Sequence, residues 1–224
     1  MREDICPYCF SKHLYKVTQT SYKCSKCKKK YSIKKLQKDS TIMDYFCDNI
    51  SANECAKTLN FNYKSVKERY MDFRKLALLH LEEIYTKNSN QFSEYDEYYF
   101  LPKHKRGKVK YLFDAIGILG MVYNTKIYTI LLTDQFSHIK QESKDIQITY
   151  IKEYAKYLNR YKIVHFEKFD SLIIKFWVYL EKNTLHYKGV SKDNFIYYLK
   201  ECEFKFNFNR KEQKDILWKR WLMR

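Results

Sequence analysis

Glycine and proline are nearly absent, four and two residues among 224. So few breakers rule out flexible linkers as domain boundaries, which must be read from changes of pattern instead. Long apolar runs are also missing. The longest, "YLFDAIGILGMVY", is too short to span a bilayer and is interrupted by Asp114, and no basic amphipathic anchor replaces it, so no membrane partner is expected. The opening "MREDICPYCF" lacks the apolar core of a signal peptide. A cytoplasmic protein is expected, its seven cysteines kept from disulfides by a reducing medium. Acidic residues are in deficit, 26 Asp and Glu against 43 Lys and Arg, and the net charge of +17 favours a polyanion as partner. The chain carries no internal repeat.

What is present suffices for a core: 45% of residues are hydrophobic and 18% aromatic. That supports one ordinary domain with one or two small ones. The richness in Lys, Ile, Asn, Tyr and Phe is also what an AT-rich genome produces, so bulk charge alone assigns no function. Pattern changes divide the chain into residues 1–38, 39–90 and 91–224. These read as a multi-domain α+β chain: a zinc ribbon, a helical module, and an α/β domain in which "KIYTILLTD" alternates as a strand and "DSLIIKFWVYLEK" and "SKDNFIYYLKECEFKF" read as helices.

Cys6-Pro-Tyr-Cys9 and Cys24-Ser-Lys-Cys27 are two Cys-x2-Cys pairs about one hairpin apart, the spacing that lets four thiolates close a tetrahedral Zn²⁺ site. Four protein ligands leave no open coordination position, so the zinc is structural. The lysines around the second pair (Lys23, Lys26, Lys28, Lys29, Lys30) either keep a small module soluble or contact phosphate. Cys47, Cys55 and Cys202 fit no ligand spacing and read as small core residues.

In "NISANECAKTLNFNYKSVKERYMDFRKL", Ser51 followed by Glu54 reads as a capping box that starts a short helix, and Ala56 admits a close helix crossing. Asn60 tolerates a left-handed turn, Asn62 caps the next helix and Val66 faces inward. This is a helix-turn-helix pattern. Its second helix is expected to project Tyr63, Lys64, Ser65, Lys67 and Arg69 outward, toward the phosphates and base edges of double-stranded DNA. A generic three-helix core with a solvated basic face would show much the same pattern.

With these two modules in place, the later sequence resembles the DDE transposases of bacterial insertion sequences, in the group that joins a zinc ribbon and a helix-turn-helix to a ribonuclease-H-like domain. The resemblance rests on Phe176-Trp177, on Gly189-Val190-Ser191 and on the run Leu199-Lys200-Glu201-Cys202-Glu203-Phe204-Lys205-Phe206-Asn207. At the start of the domain, "EYDEYYFLPKHKRGKVKYLF" is similar to the group's Asp-Glu-x-Tyr motif followed by a basic loop and a strand. The resemblance implies a shortened ribonuclease-H-like α/β domain, dimers, and three carboxylates holding two Mg²⁺ ions.

This chain departs from the pattern at those carboxylates. Asp96 matches the first. Two alignments compete for the second, placing Lys152 or Glu167 there, and Ile174 stands at the third. A decayed centre is therefore expected, with Mg²⁺ bound only if activity survives. His138, His165 and His186 lack ligand spacing, and the stripe Tyr150, Tyr154, Tyr157, Tyr161 reads as core. Lys103, Lys105, Arg106 and Lys108 in "KHKRGKVK" read as a solvated loop or as a clamp on the DNA backbone. The leading expectation is a transposase-derived, nucleoid-associated DNA-binding protein, acting as a homodimer or with a protein partner on DNA. One rival is an active transposase using Asp96 with Glu167 and Glu181. Another is an RNA-binding or protein-assembly module.

Overall fold

The computed structural model describes residues 4–88, 92–106, 108–133, 145, 148–152, 171–184 and 190–224. Strands β1 (Leu14–Thr18), β2 (Ser21–Cys24) and β3 (Lys30–Ser32) form an antiparallel sheet in sequence order. Helices α1 (Ile33–Cys47), α2 (Ala52–Thr58) and α3 (Tyr63–Asn88) follow. A second antiparallel sheet contains β4 (Phe92–Phe100), β5 (Ile116–Tyr123) and β6 (Lys126–Leu131), and after it come α4 (Leu172–Thr184), α5 (Lys192–Asn207) and α6 (Arg210–Leu222). The chain is mixed α/β. Among the described residues, no helix is long and apolar enough to cross a membrane.

The chain divides into two compact units, one of Met1–His80 with Phe208–Arg224 and one of Leu81–Asn207. Three segments were expected, with everything after residue 90 in one domain. Instead the ribbon and the helical module share a unit, and α6 joins them. The reason is apolar: Trp218 and Leu222 of α6 pack on the core formed by Cys6, Cys24, Tyr31, Ile33 and Leu36, and Trp221 meets Phe73 edge-on at 5.3 Å. Sequence patterning missed α6, although Asn209 and Glu212 form a full capping box at its start.

Within the first unit the local signals behave as their chemistry requires. The Ser51 hydroxyl accepts from the Glu54 amide at 3.1 Å, and Asn62 Oδ1 accepts from the Ser65 amide at 3.2 Å. Asn60 takes a φ of 51°, and both Ala56 and Val66 are buried. Phe46 and Phe73 fill the centre of these helices, with Phe46 edge-on to both Tyr70 and Phe73.

In the second unit, β5 and β6 turn through Asn124 at φ 52°, and β4 runs alongside β5 with Asp96 opposite Gly120. Gly120 is required by a close approach: a Cβ there would lie 2.7 Å from Cζ2 of Trp177. Phe176, Leu180 and Leu199 are fully buried in the core that α4 and α5 build on this sheet.

The run Leu199–Asn207 turns out to be mostly interior. Glu203 is fully buried, and its Oε2 accepts from the Thr129 amide at 2.9 Å and the Thr129 hydroxyl at 2.5 Å. Lys200 Nζ lies 3.0 Å from the same oxygen and 3.6 Å from the centre of the Tyr128 ring. Lys205 pairs with the buried Glu201 at 2.6 Å, and the Asn207 side chain bonds the amide and carbonyl of Ile127 at 2.7 and 2.6 Å, as a neighbouring strand would. These residues hold a helix on a strand. Cys47, Cys55 and Cys202 are buried, as read from their spacing, whereas Tyr150 is exposed. His138, His165, His186, Tyr154, Tyr157 and Tyr161 lie outside the described residues.

Candidate metal centre and nucleic-acid interface

The two cysteine pairs adopt the same backbone geometry. In the first, the Phe10 amide donates to the Cys6 carbonyl at 2.9 Å and the Cys6 amide to the Ser11 carbonyl at 2.9 Å. In the second, Lys28 donates to Cys24 at 3.1 Å and Cys24 to Lys29 at 3.0 Å. Both pairs end on a left-handed residue that is not glycine, Phe10 at φ 59° and Lys28 at φ 62°. Such a conformation costs energy and persists only where its surroundings enforce it. Here it curls each loop so that backbone amides face sulfur.

The four Sγ atoms converge to within 4.8 Å of one another, with Cys6–Cys27 at 3.7 Å and Cys9–Cys24 at 3.5 Å. A zinc tetrathiolate with arms of roughly 2.3 Å has sulfur–sulfur edges of roughly 3.8 Å. The donor set fits a tetrahedral ion. Burial pushes the Cys6 thiol up to about 12 against the pull of the Tyr8 and Cys9 amides, while the Cys27 amide leads in holding Cys24 at about 6. Charge is therefore shared unevenly among crowded sulfurs, and a cation would even it out. Among the described residues, these cysteines are the one cluster of three or more Cys, His, Asp or Glu side chains close enough to hold a metal ion.

Among the described residues, the expected catalytic carboxylates join no group of three metal-ligating side chains. Asp96 lies on β4, and its Oδ2 accepts from the Trp177 indole at 2.9 Å. Trp177 stacks on Tyr98 at 5.0 Å, and Ile174 packs against the same core. Glu181 accepts the Tyr98 hydroxyl and lies 3.4 Å from the Arg106 guanidinium, so it is committed to structural partners. Burial first, and then Glu181, pushes the Tyr98 hydroxyl above its usual range, so Tyr98 donates to Glu181 as a neutral phenol. Lys152 is exposed in a short helical segment, and Glu167 lies outside the described residues. Nothing in the Phe176-Trp177 pair as sequence signals the indole contact.

The DNA-facing residues separate into two groups. Tyr63, Lys64, Ser65 and Lys67 are exposed on the first turns of α3. Arg69 departs from its expected outward projection. Its Nε lies 2.8 Å from the buried Asp39, its Nη1 lies 3.7 Å from Asp72, and its guanidinium stands over the Trp221 ring at 5.3 Å. A buried carboxylate without a cation is costly, which is why Arg69 turns inward. Arg69→Ala is therefore expected to destabilise the first unit by about 2 kcal/mol, because Asp39 would be left unpaired. Chemical unfolding followed by tryptophan emission checks this, and an unchanged midpoint would contradict it.

In the basic loop, two cations have local acidic partners. Lys105 pairs with Asp114 at 2.8 Å, and Arg106 is held by Glu181 and by the Leu101 carbonyl at 2.7 Å. Local acids thus claim two of the four cations read as a clamp. Lys108 is exposed, and the Lys103 side chain lies outside the described residues.

Positive charge is concentrated in the first unit, which has 23 basic and 10 acidic residues, net +13, against 20 and 16, net +4, in the second. Compared with known proteins, the chain matches no family model, no curated protein and no solved structure.

Proposed function

We propose that the chain is a transposase-derived, nucleoid-associated protein that binds double-stranded DNA through α2 and α3. In this reading it carries a structural zinc, has lost metal-dependent strand transfer, and serves as a regulator or architectural partner on DNA, alone as a dimer or with another protein. The observation that carries the reading is the capped turn of residues 59–62. It leaves Tyr63, Lys64, Ser65 and Lys67 exposed at the start of a long helix, in the unit that holds most of the positive charge. The antiparallel β4–β5–β6 sheet with Asp96 on its first strand is compatible with a ribonuclease-H-like ancestor. Asp96 hydrogen-bonded by an indole, with Ile174 in the core, argues against a working two-metal centre.

The test is duplex binding across a salt series, with and without Mg²⁺ or Mn²⁺. Each lysine that contacts a phosphate contributes about 0.9 to the slope of log affinity against log salt. The double substitution Lys64→Ala/Lys67→Ala is expected to lower that slope by about 2 and to weaken binding. The wild type is expected to leave the DNA uncut. An unchanged slope would reject α3 as the reading element, and cleavage abolished by Asp96→Asn would reject the decayed centre.

A further inference from the structure

The zinc-ribbon sheet has one face that the fold leaves uncovered. Register places Tyr15 beside Lys23 and Lys23 beside Lys30, a single row across β1, β2 and β3, and all three side chains are exposed. Tyr15 is 65% exposed. The adjacent row contains Tyr22 beside Tyr31, which stack at 6.2 Å and belong to the ribbon core, so the two faces of the sheet have opposite duties. Residues 4–32 contain seven lysines and one acid, Asp4, so whatever covers this face is an anion.

An aromatic ring lying open at the end of a row of lysines is poorly suited to intact duplex. Duplex DNA offers phosphates at its surface but keeps its base faces stacked against each other, leaving nothing planar for Tyr15 to cover. An unpaired strand offers both, a base face for the ring and phosphates on either side for the ammonium groups. From this row we infer that the ribbon face binds single-stranded DNA, with Tyr15 as the stacking platform and Lys23 and Lys30 as phosphate contacts. Base face and phosphate are common to DNA and RNA, so DNA is assigned from the proposed function, and the oligo(U) arm tests that choice. The inference rests on the first unit being a nucleic-acid-binding body, but it uses a different surface from α3. A protein that grips duplex through one surface and an unpaired strand through another would favour junctions, where both occur together.

The experiment uses the full chain loaded with zinc and follows fluorescence anisotropy of a labelled oligo(dT), an oligo(U) of the same length and a duplex. Stacking of one base is worth about 1–3 kcal/mol. Tyr15→Ala is therefore expected to weaken oligo(dT) binding by about 5- to 150-fold while leaving duplex affinity within about twofold. Tyr15→Phe should retain binding, and Lys23→Glu/Lys30→Glu should abolish it. Lys64→Ala/Lys67→Ala should do the reverse, losing duplex and keeping oligo(dT), which separates failure of this inference from failure of the duplex reading. Zinc content per chain, measured on each variant, must stay unchanged, and Tyr15→Phe guards against a fold defect. Three outcomes would overturn the assignment: oligo(dT) binding unaltered in Tyr15→Ala, equal losses on oligo(dT) and duplex, or a tenfold preference for oligo(U). Absence of oligo(dT) binding by the wild type would do the same.

Discussion

Stripping the metal from the four cysteines is expected to unfold the ribbon and to release α6 with it, while the second unit keeps its own transition. Structural zinc sites contribute about 10–16 kcal/mol at neutral pH, more than the total stability of most domains. A small ribbon with two left-handed non-glycine residues has little else to hold its loops. The ribbon read from the sequence ends at residue 38, which would confine the loss to that segment. The core shared with Trp218 and Leu222 carries it further, because unfolding Tyr31, Ile33 and Leu36 removes the surface on which α6 rests. Lys29 Nζ also contributes hydrogen bonds to the Leu222 and Arg224 carbonyls at 3.3 and 3.2 Å. Chelation should therefore shift tryptophan emission to the red. Thiol titration should find Cys6, Cys9, Cys24 and Cys27 reactive and Cys202 still protected in the second unit. About one zinc per chain is expected by elemental analysis. A metal-free chain with unshifted emission and protected thiols would reject the centre.

The largest single-residue effect is expected at Lys200. Lys200→Ala leaves Glu203 fully buried without its cation, a loss of about 3–5 kcal/mol. The direction of its pH dependence follows from the carboxyl. Burial already raises the Glu203 pKa, and Lys200 is the first of the influences opposing that rise. Removing Lys200 raises it further, so the folded variant prefers a protonated Glu203. Below the unfolded value, about 4.3, both states hold the proton and the ionic part of the penalty vanishes. As pH climbs through the raised folded value, that part grows to its full size. Because the wild-type value is itself raised, both folded proteins keep the proton just above the unfolded value and lose stability together. The difference in unfolding free energy between them should widen only as pH climbs through the wild-type folded value, and Glu203→Gln added to Lys200→Ala should recover much of it. A cost independent of pH would show that lost packing, not the carboxyl, sets the penalty.

Local chemistry explains what the sequence disclosed. Ser51, Asn60 and Asn62 act on backbone within four residues of themselves, so their roles could be read without knowing the fold. Cysteine spacing is equally local within each pair. Arg69 shows where such reading ends, since its partners Asp39 and Trp221 lie 30 positions before it and 152 after it. A basic residue on an amphipathic helix reads as solvent-facing until a buried carboxylate from another helix claims it. Trp177 is similar: its indole finds Asp96 from 81 positions away, and no periodicity announces that contact. The Lys200–Glu203 pair was visible as sequence, but charged residues at helical spacing normally face water. Only the strand carrying Thr129 makes that side of α5 an interior.

The placement of α6 sets the order in which the chain can finish folding during its synthesis. The second unit ends at Asn207, whereas the first, begun earlier, lacks α6 until residues 210–222 have been made. At about 5–20 residues per second, the interval between completing residue 80 and completing α6 is on the order of ten seconds. Throughout that interval Phe73 has no Trp221 against it and Asp48 has no Arg210 to pair with. The nascent ribbon can take up its ion early, but the helices behind it wait, so the inserted unit is born complete before the unit that encloses it. A chain released after Asn207 would thus hold a complete α/β body tethered to a basic unit that lacks its last helix.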